Sequence, residues 1–105
     1  MTKIKESDIN KSSRIIYNTI GNNIIRLRGK LIQEELSKKA GISRITLSAI
    51  DNGRSISLKN LIKIAKALDV NVADLFISDK DREEVSYMHI LLLKKASESL
   101  NIKPR

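Results

Sequence analysis

The side chains that could do acid–base or metal chemistry are few in this chain. It has one histidine, His89, and no cysteine, which excludes disulfides, thiolate zinc sites and cysteine nucleophiles. The adjacent acids Glu34–Glu35 and Glu83–Glu84 are the other candidates, but neighbouring residues point apart on a helix. Such pairs are typical of helix starts, where acidic side chains interact favourably with the helix dipole. We therefore expect no catalytic residue, no metal site, no cofactor and no enzyme activity.

The charge of the chain points to a different kind of chemistry. Its 20 Lys and Arg residues outnumber its 12 Asp and Glu residues, giving a net charge of +8. A basic balance suits phosphate backbones, because Lys and Arg displace condensed counterions; a solvated lysine-rich surface fits the charge equally well. The longest apolar run, residues 90–93, is far shorter than the ~20 residues of a membrane-spanning helix. We therefore expect a soluble protein of the cytoplasm or nucleoid.

The spacing of apolar residues predicts an all-α fold. Ile16, Ile20, Ile24 and Leu27 form one helical stripe, which predicts a first helix from about residue 12, after a flexible basic N-terminus over residues 1–11. Further amphipathic helices are predicted over 33–40, 44–52, 58–68 and 72–76, and from about 82 to 100 after a polar linker. Strand-like alternation is not sustained anywhere in the sequence.

Residues 33–52 have the pattern of two helices that cross closely. Gly41 lies between the two predicted helices, where a left-handed residue can end a helix without a Cβ clash. Ser43 can cap the second helix. Small residues are needed where the helices meet and apolar residues must anchor the crossing; the candidates are Ser37, Ala40 and Gly41, and Leu36, Ile42, Leu47 and Ile50. This arrangement is that of a helix-turn-helix, whose second helix enters the major groove of DNA.

Residues 20–76 resemble the Cro and phage-repressor class of helix-turn-helix domains, also called the xenobiotic response element (XRE) family. The matching residues are Ile20-Gly21, Ile24, Leu27-Arg28, Gln33-Glu-Glu-Leu, Ala40-Gly41-Ile-Ser-Arg, Leu47, Ile50-Asp51-Asn52-Gly53-Arg54, Leu61, Ala65, Leu68, Val70 and Asp74-Leu75-Phe76. The resemblance implies a five-helix, lambda-repressor-like DNA-binding domain over residues 12–78, with the helix-turn-helix at 33–52. An additional C-terminal helix follows within residues 79–105.

Two departures from the family pattern concern the start of the second helix. The turn after Arg28 is about two residues shorter than the commonest form, and Ile32 occupies the place of the usual Ser or Thr cap. Because of these two departures, the sequence does not determine the residue at which the first helix ends.

The resemblance also implies which residues touch DNA. The exposed residues of the recognition helix, which would contact bases, are Arg44, Ile45, Ser48 and Ala49. Phosphate contacts are expected from Gln33, Ser43, Asn52, Arg54, Lys59 and Asn60. Arg44 can donate two hydrogen bonds to guanine or hold a phosphate, and Ile45 either touches a thymine methyl group or packs at the edge of the core. This surface has few polar readers, so part of the specificity is expected from DNA shape.

An ion pair between the first and third helices is a further expectation. Similar repressors hold an arginine of the first helix against an acid at the end of the third, which here are Arg28 and Asp51. The shortened turn leaves Arg26 as the alternative partner.

The C-terminal helix has more apolar surface than an isolated surface helix needs. Val85, Met88, Leu92 and Ala96 form one face, and further apolar residues over 90–93 widen it. We expect this face to form a homodimer interface, which would join two recognition helices on a palindromic operator. It could instead fold back on its own domain or bind a protein antagonist. The predicted function is a dimeric transcriptional repressor; the alternative is an antitoxin-like or protein-interaction regulator.

Overall fold

The described part of the chain folds into five α-helices and one short 3₁₀ helix. The computed structural model describes residues 3–99, with the side chains of residues 84–86 and 99 outside that description. The helices are α1 (Glu6–Arg28), α2 (Gln33–Ala40), α3 (Arg44–Asp51), α4 (Leu58–Leu68), the 3₁₀ helix (Val72–Leu75) and α5 (Asp79–Ser99). No strand occurs among the described residues. The predicted all-α class is confirmed, and the predicted short fifth helix is of the 3₁₀ type.

Helix α1 begins six residues earlier than the sequence analysis predicted. It starts at Glu6 rather than near residue 12, with Glu6 and Asp8 in its first turn, where their charges favour the helix dipole. Ile9, Ser13 and Ile16 continue the spacing of the buried stripe towards the N-terminus. The sequence analysis missed residues 6–11 because Ile9 is the one apolar residue among them, which is too few to show a helical spacing.

The α2–turn–α3 unit has the predicted local chemistry. Gly41 ends α2 in the left-handed region, with φ 72°, and the Ile42 amide donates to the Ser37 carbonyl at 3.0 Å. The Ser43 hydroxyl caps α3 by accepting a hydrogen bond from the Thr46 amide at 3.0 Å. Leu36 and Leu47 are completely buried between the helices, so packing and capping fix the same crossing.

A glycine lets α1 and α3 come into direct backbone contact. A Cβ atom at Gly21 would lie 2.6 Å from the Ile50 carbonyl oxygen and 2.8 Å from that of Asp51. Ile20 and Ile24 of α1 and Ile50 of α3 are buried beside this point. The position of α3 on the core therefore depends on the absence of a side chain at residue 21.

Helix α4 packs against α1 and α2 and completes the core. Its first turn is capped by Ser57, which accepts from the Asn60 amide at 3.1 Å. Leu61, Ile64 and Ala65 face the core, whereas Leu58 is 68% exposed.

The start of α5 differs from the predicted polar linker. The Ser78 hydroxyl accepts from the Asp81 amide at 3.1 Å and its carbonyl accepts from the Arg82 amide at 2.9 Å. Residues 79–81 are therefore the first turn of α5, with Asp79 and Asp81 placed favourably for the dipole.

A buried asparagine fixes the segment that joins the core to α5. The sequence analysis did not single out this residue. The Asn23 amide nitrogen donates to the carbonyls of Leu75 and Ile77, both at 2.9 Å. Beyond this point α5 makes no extended packing contact with another described helix. Among the described residues, no helix has the length and apolar character needed to cross a membrane.

Candidate nucleic-acid interface

The outer face of α3 forms the floor of an open groove of about 600 Å³. Arg44 and Ile45 project from its first turn, and the Ile45 side chain is 85% exposed. Ser48 and Ala49 follow one turn later and are small. The predicted exposure of Ile45 is thus found, and peripheral packing against the core is not.

The groove is lined by seven residues, each of which the sequence analysis had assigned to DNA contact. They are Gln33, Arg44, Ile45, Ser48, Ala49, Asn52 and Arg54. Three segments supply them: the first residue of α2, the outer face of α3 and the turn that follows α3. The tight turn at Gly53, where φ is 83°, returns the chain so that Arg54 lies beside the helix it has just left.

Three predicted phosphate contacts lie outside the lining of this groove. The Ser43 hydroxyl caps α3, while Lys59 and Asn60 lie in the first turn of α4. Lys59 is exposed. Asn60 is half-buried, and its backbone amide donates a hydrogen bond to the Ser57 hydroxyl.

The groove carries positive charge and no acidic side chain. Arg44 and Arg54 are both exposed at its edge. The Asn52 side-chain amide donates to the Ser48 carbonyl at 2.8 Å, which holds it against the end of α3. Guanidinium groups are planar donors that bind phosphates and guanine edges in two-point contacts. A helical polyanion such as a nucleic acid, lying in this groove, would therefore meet hydrogen-bond donors at the edges of the groove. At its centre it would meet small or apolar side chains.

A buried network connects the groove to the core. The Arg28 guanidinium lies 2.6 Å from Asp51 Oδ2, and the Gln33 amide donates to the same oxygen at 2.8 Å. The Arg28 and Asp51 side chains are 14% and 4% exposed. This network ties the end of α1 and the start of α2 to the last residue of α3.

The alternative partner, Arg26, has a different role. Its Nε lies 3.2 Å from Asp79 Oδ1 at the start of α5, so it does not reach Asp51. Gln33 gains a role that sequence reasoning missed, because its amide positions Asp51 while its place at the start of α2 leaves it at the groove. The shortened turn after Arg28 was the available signal, since it brings Gln33 close to the end of α1.

Comparison with known proteins identifies the family. The sequence profile of the helix-turn-helix family matches residues 24–75, from the second half of α1 to the end of the 3₁₀ helix. An uncharacterised HTH-type transcriptional regulator from Methanocaldococcus jannaschii is 48% identical over 52 residues, which are 49% of this chain and 79% of that protein. The chain belongs to the Cro/C1-type (XRE) helix-turn-helix family. This family consists of DNA-binding transcription regulators and is not an enzyme class.

Further proteins are similar to this chain in sequence or in fold. An uncharacterised HTH-type transcriptional regulator from Archaeoglobus fulgidus is 37% identical over 57 residues, 53% of this chain and 81% of that one. The restriction-modification controller protein C.AhdI from Aeromonas hydrophila superposes with a TM-score of 0.55 at 33% identity, covering 57% of this chain and 96% of that chain. The hypothetical transcription factor NHTF from Neisseria gives a TM-score of 0.65 at 27% identity, covering 70% and 86%.

Proposed function

We propose that the protein is a dimeric repressor that reads a palindromic DNA operator through the major groove, in the cytoplasm or nucleoid. Helix α3 is the recognition helix, and occupancy of the operator blocks transcription without any chemical step. The groove over α3 carries this proposal, because it combines two exposed arginines, small central residues and no acid.

Within the groove, the proposed roles follow from side-chain chemistry. Arg44, at the first position of α3, donates to guanine O6 and N7. Asn52, Arg54 and the start of α2 at Gln33 contact phosphates, which fix the register of the helix in the groove but carry no base specificity. Ser43, Lys59 and Asn60 extend these phosphate contacts on either side.

Selection of binding sites from random duplex DNA tests the function directly. We expect the purified protein to recover a palindrome whose half-sites lie about one helical turn apart. Arg44→Ala should lower affinity for that site about 10- to 100-fold and relax one base position in each half-site. Lys66→Ala is the matched control, since Lys66 is an exposed cation of α4 outside the groove lining. Recovery of no consensus, with binding that simply disappears as salt is raised, would contradict sequence-specific recognition.

The exposed Ile45 side chain predicts a dependence on a single methyl group. Replacing the contacted thymine of the selected site with uracil removes only the C5-methyl, and should weaken binding about 4-fold, the value of one buried methyl or methylene group. In the Ile45→Ala variant the thymine and uracil sites should bind equally. Uracil scanning across the half-site, read by fluorescence anisotropy, locates the contact. Equal binding of all uracil-substituted sites by the unmodified protein would exclude this role of Ile45.

A second candidate function is an antitoxin-like or protein-interaction regulator that binds a protein partner through α5. The exposed apolar residues of α5 favour it. The molar mass of the purified protein separates the two, because a dimeric repressor dimerises alone at micromolar concentration and binds its operator without a further component. A chain that stays monomeric and binds no specific site would favour the second function.

A further inference from the structure

A second groove, away from α3, is apolar and open. It measures about 260 Å³ and lies between the first half of α1, the start of α4 and the end of the 3₁₀ helix. Core residues Ile20 and Leu61 form part of its lining, together with the exposed Ile16, Leu58 and Phe76. Large apolar side chains gathered around a cleft are typical of a surface that a helix covers. This second groove is called here the α1–α4 groove.

Helix α5 of the same chain exposes several large apolar side chains, and it has no extended packing with another described helix. Tyr87, Met88, Ile90, Leu92 and Leu93 are each at least half exposed. The radius of gyration is 18.4 Å, whereas a compact chain of this length has about 13 Å. The difference is what a helix projecting from a small core produces. The chain therefore has both exposed apolar residues on α5 and an open apolar groove, and no residue of its own α5 lines that groove.

The start of α5 is held near the C-terminal end of α1. Asp79 pairs with Arg26 at 3.2 Å, and the Arg82 guanidinium donates to the Asp74 carbonyl at 3.2 Å. Arg26 lies ten residues after Ile16 on α1, a distance of about 15 Å along the helix axis. Beyond these contacts α5 has no extended packing with α1 among the described residues, so it leaves the groove open to another molecule.

The charges around the two surfaces favour a second copy of this chain as that molecule. Lys11 and Arg14 of α1 are exposed cations within two residues of Ser13, which lines the groove. The acids of α1 lie in its first turn, further from the groove lining. Residues 79–84, at the start of α5, carry four acidic and two basic side chains, a net charge of −2. In a chain with a net charge of +8, this acidic segment approaching the cations beside the groove offsets part of the repulsion between two copies.

We propose that α5 of one copy occupies the α1–α4 groove of a second copy, and that the second copy's α5 occupies the first groove in return. A two-fold axis satisfies both contacts at once, in the helix-in-groove manner in which apolar residues at helical spacing enter a cleft. The inference rests on the dimeric function proposed above and names the surfaces that form the dimer. Each copy then holds the other's recognition domain through α1, the helix that also packs against α3.

Matched aspartate substitutions on α1 test the groove. Ile16→Asp places a carboxylate in it, whereas Ile25→Asp makes the same change outside it; the two side chains are 45% and 44% exposed. Sedimentation velocity over a concentration series should show the dimer dissociation constant raised roughly 30-fold or more by Ile16→Asp and by Leu92→Asp, and unchanged by Ile25→Asp. Circular dichroism verifies that each variant remains helical.

Cross-linking makes the test independent of any destabilisation. Because the chain has no cysteine, Ser13→Cys and Leu92→Cys chains can be mixed and treated with a short thiol cross-linker. A heterodimeric product, absent when Ile25→Cys replaces Ser13→Cys, supports the exchange. Dimers that depend on Leu92 but neither on Ile16 nor on this cross-link would show α5 pairing with α5, and would overturn the inference while leaving a dimeric repressor intact. A chain that is monomeric at all concentrations and on DNA would overturn both. A dimer that cross-links as proposed but selects no operator would support the exchange and reject the function.

Discussion

Replacing Asp51 with alanine is expected to lower the free energy of unfolding by about 3 to 5 kcal/mol, the usual range for removing one partner of a buried ion pair. The Asp51 side chain is 4% exposed and binds both the Arg28 guanidinium and the Gln33 amide through Oδ2. Without the carboxylate, the Arg28 charge stays largely buried with no counter-ion. The measurement is urea denaturation followed by circular dichroism.

Asp79→Ala is the matched control for this prediction. Asp79 also pairs with an arginine, at 3.2 Å, but its side chain is 73% exposed, and exposed pairs contribute only about 0 to 1 kcal/mol. A double variant, Arg28→Met with Asp51→Leu, should recover much of the loss, because replacing a whole buried pair by apolar residues is often neutral. If Asp51→Ala and Asp79→Ala cost the same, the buried network does not stabilise the fold.

Gly21→Ala is expected to destabilise the protein by about 1 to 3 kcal/mol, the typical cost of overpacking. The added Cβ would lie 2.6 Å from the Ile50 carbonyl oxygen, a backbone atom that moves only if α3 moves. On an exposed helix, the same substitution would stabilise by up to about 1 kcal/mol. The sign of the change in urea denaturation therefore reports the close approach of the two helices.

The same substitution should weaken operator binding at temperatures where the protein is still folded. Displacement of α3 shifts Arg44 and Ile45 relative to the phosphate contacts from α2 and the turn after α3, so base and backbone contacts lose their common register. Asn22→Ala, at the adjacent exposed position of α1, should alter neither stability nor binding appreciably. A Gly21→Ala protein more stable than the parent would mean that the crossing adjusts without cost.

The features predictable from sequence are those that depend on neighbouring residues. Gly41 ends α2 and Ser43 caps α3 as expected, because both effects act within one or two turns of the chain. Leu47 and Ile50 are buried at the predicted face of α3. The exposed positions on the opposite face, Arg44 and Ile45 among them, follow from the same periodicity.

Helix boundaries and faces beyond the motif were less predictable. Within α4, the apolar spacing would favour a buried stripe that includes Leu58 and Ile62, but both are exposed and Ile64 is buried instead. A helix rich in Leu, Ile and Ala presents two nearly equivalent apolar faces, and only the position of its neighbours selects one. The first turn of α5 was assigned to a linker because its acidic residues are polar, although a Ser cap and acidic side chains together favour a helix start.

Three of the four predicted interface residues of α5 have described side chains. Met88, Leu92 and Ala96 are exposed, while the Val85 side chain lies outside the described residues. Their role in a dimer stays a prediction.

The sequence by itself determined the family, the helix-turn-helix and the exposed surface of α3, because these depend on local spacing and capping. Only the tertiary structure decided which arginine meets Asp51, that Gln33 shares the same carboxylate oxygen, and that Asn23 holds the exit into α5. It alone also reveals that Gly21 lies against the backbone of α3. Each of these contacts joins residues 18 to 54 positions apart in the chain or requires the path of a neighbouring backbone. Periodicity describes the face of one helix, whereas these contacts depend on how two helices are placed relative to each other.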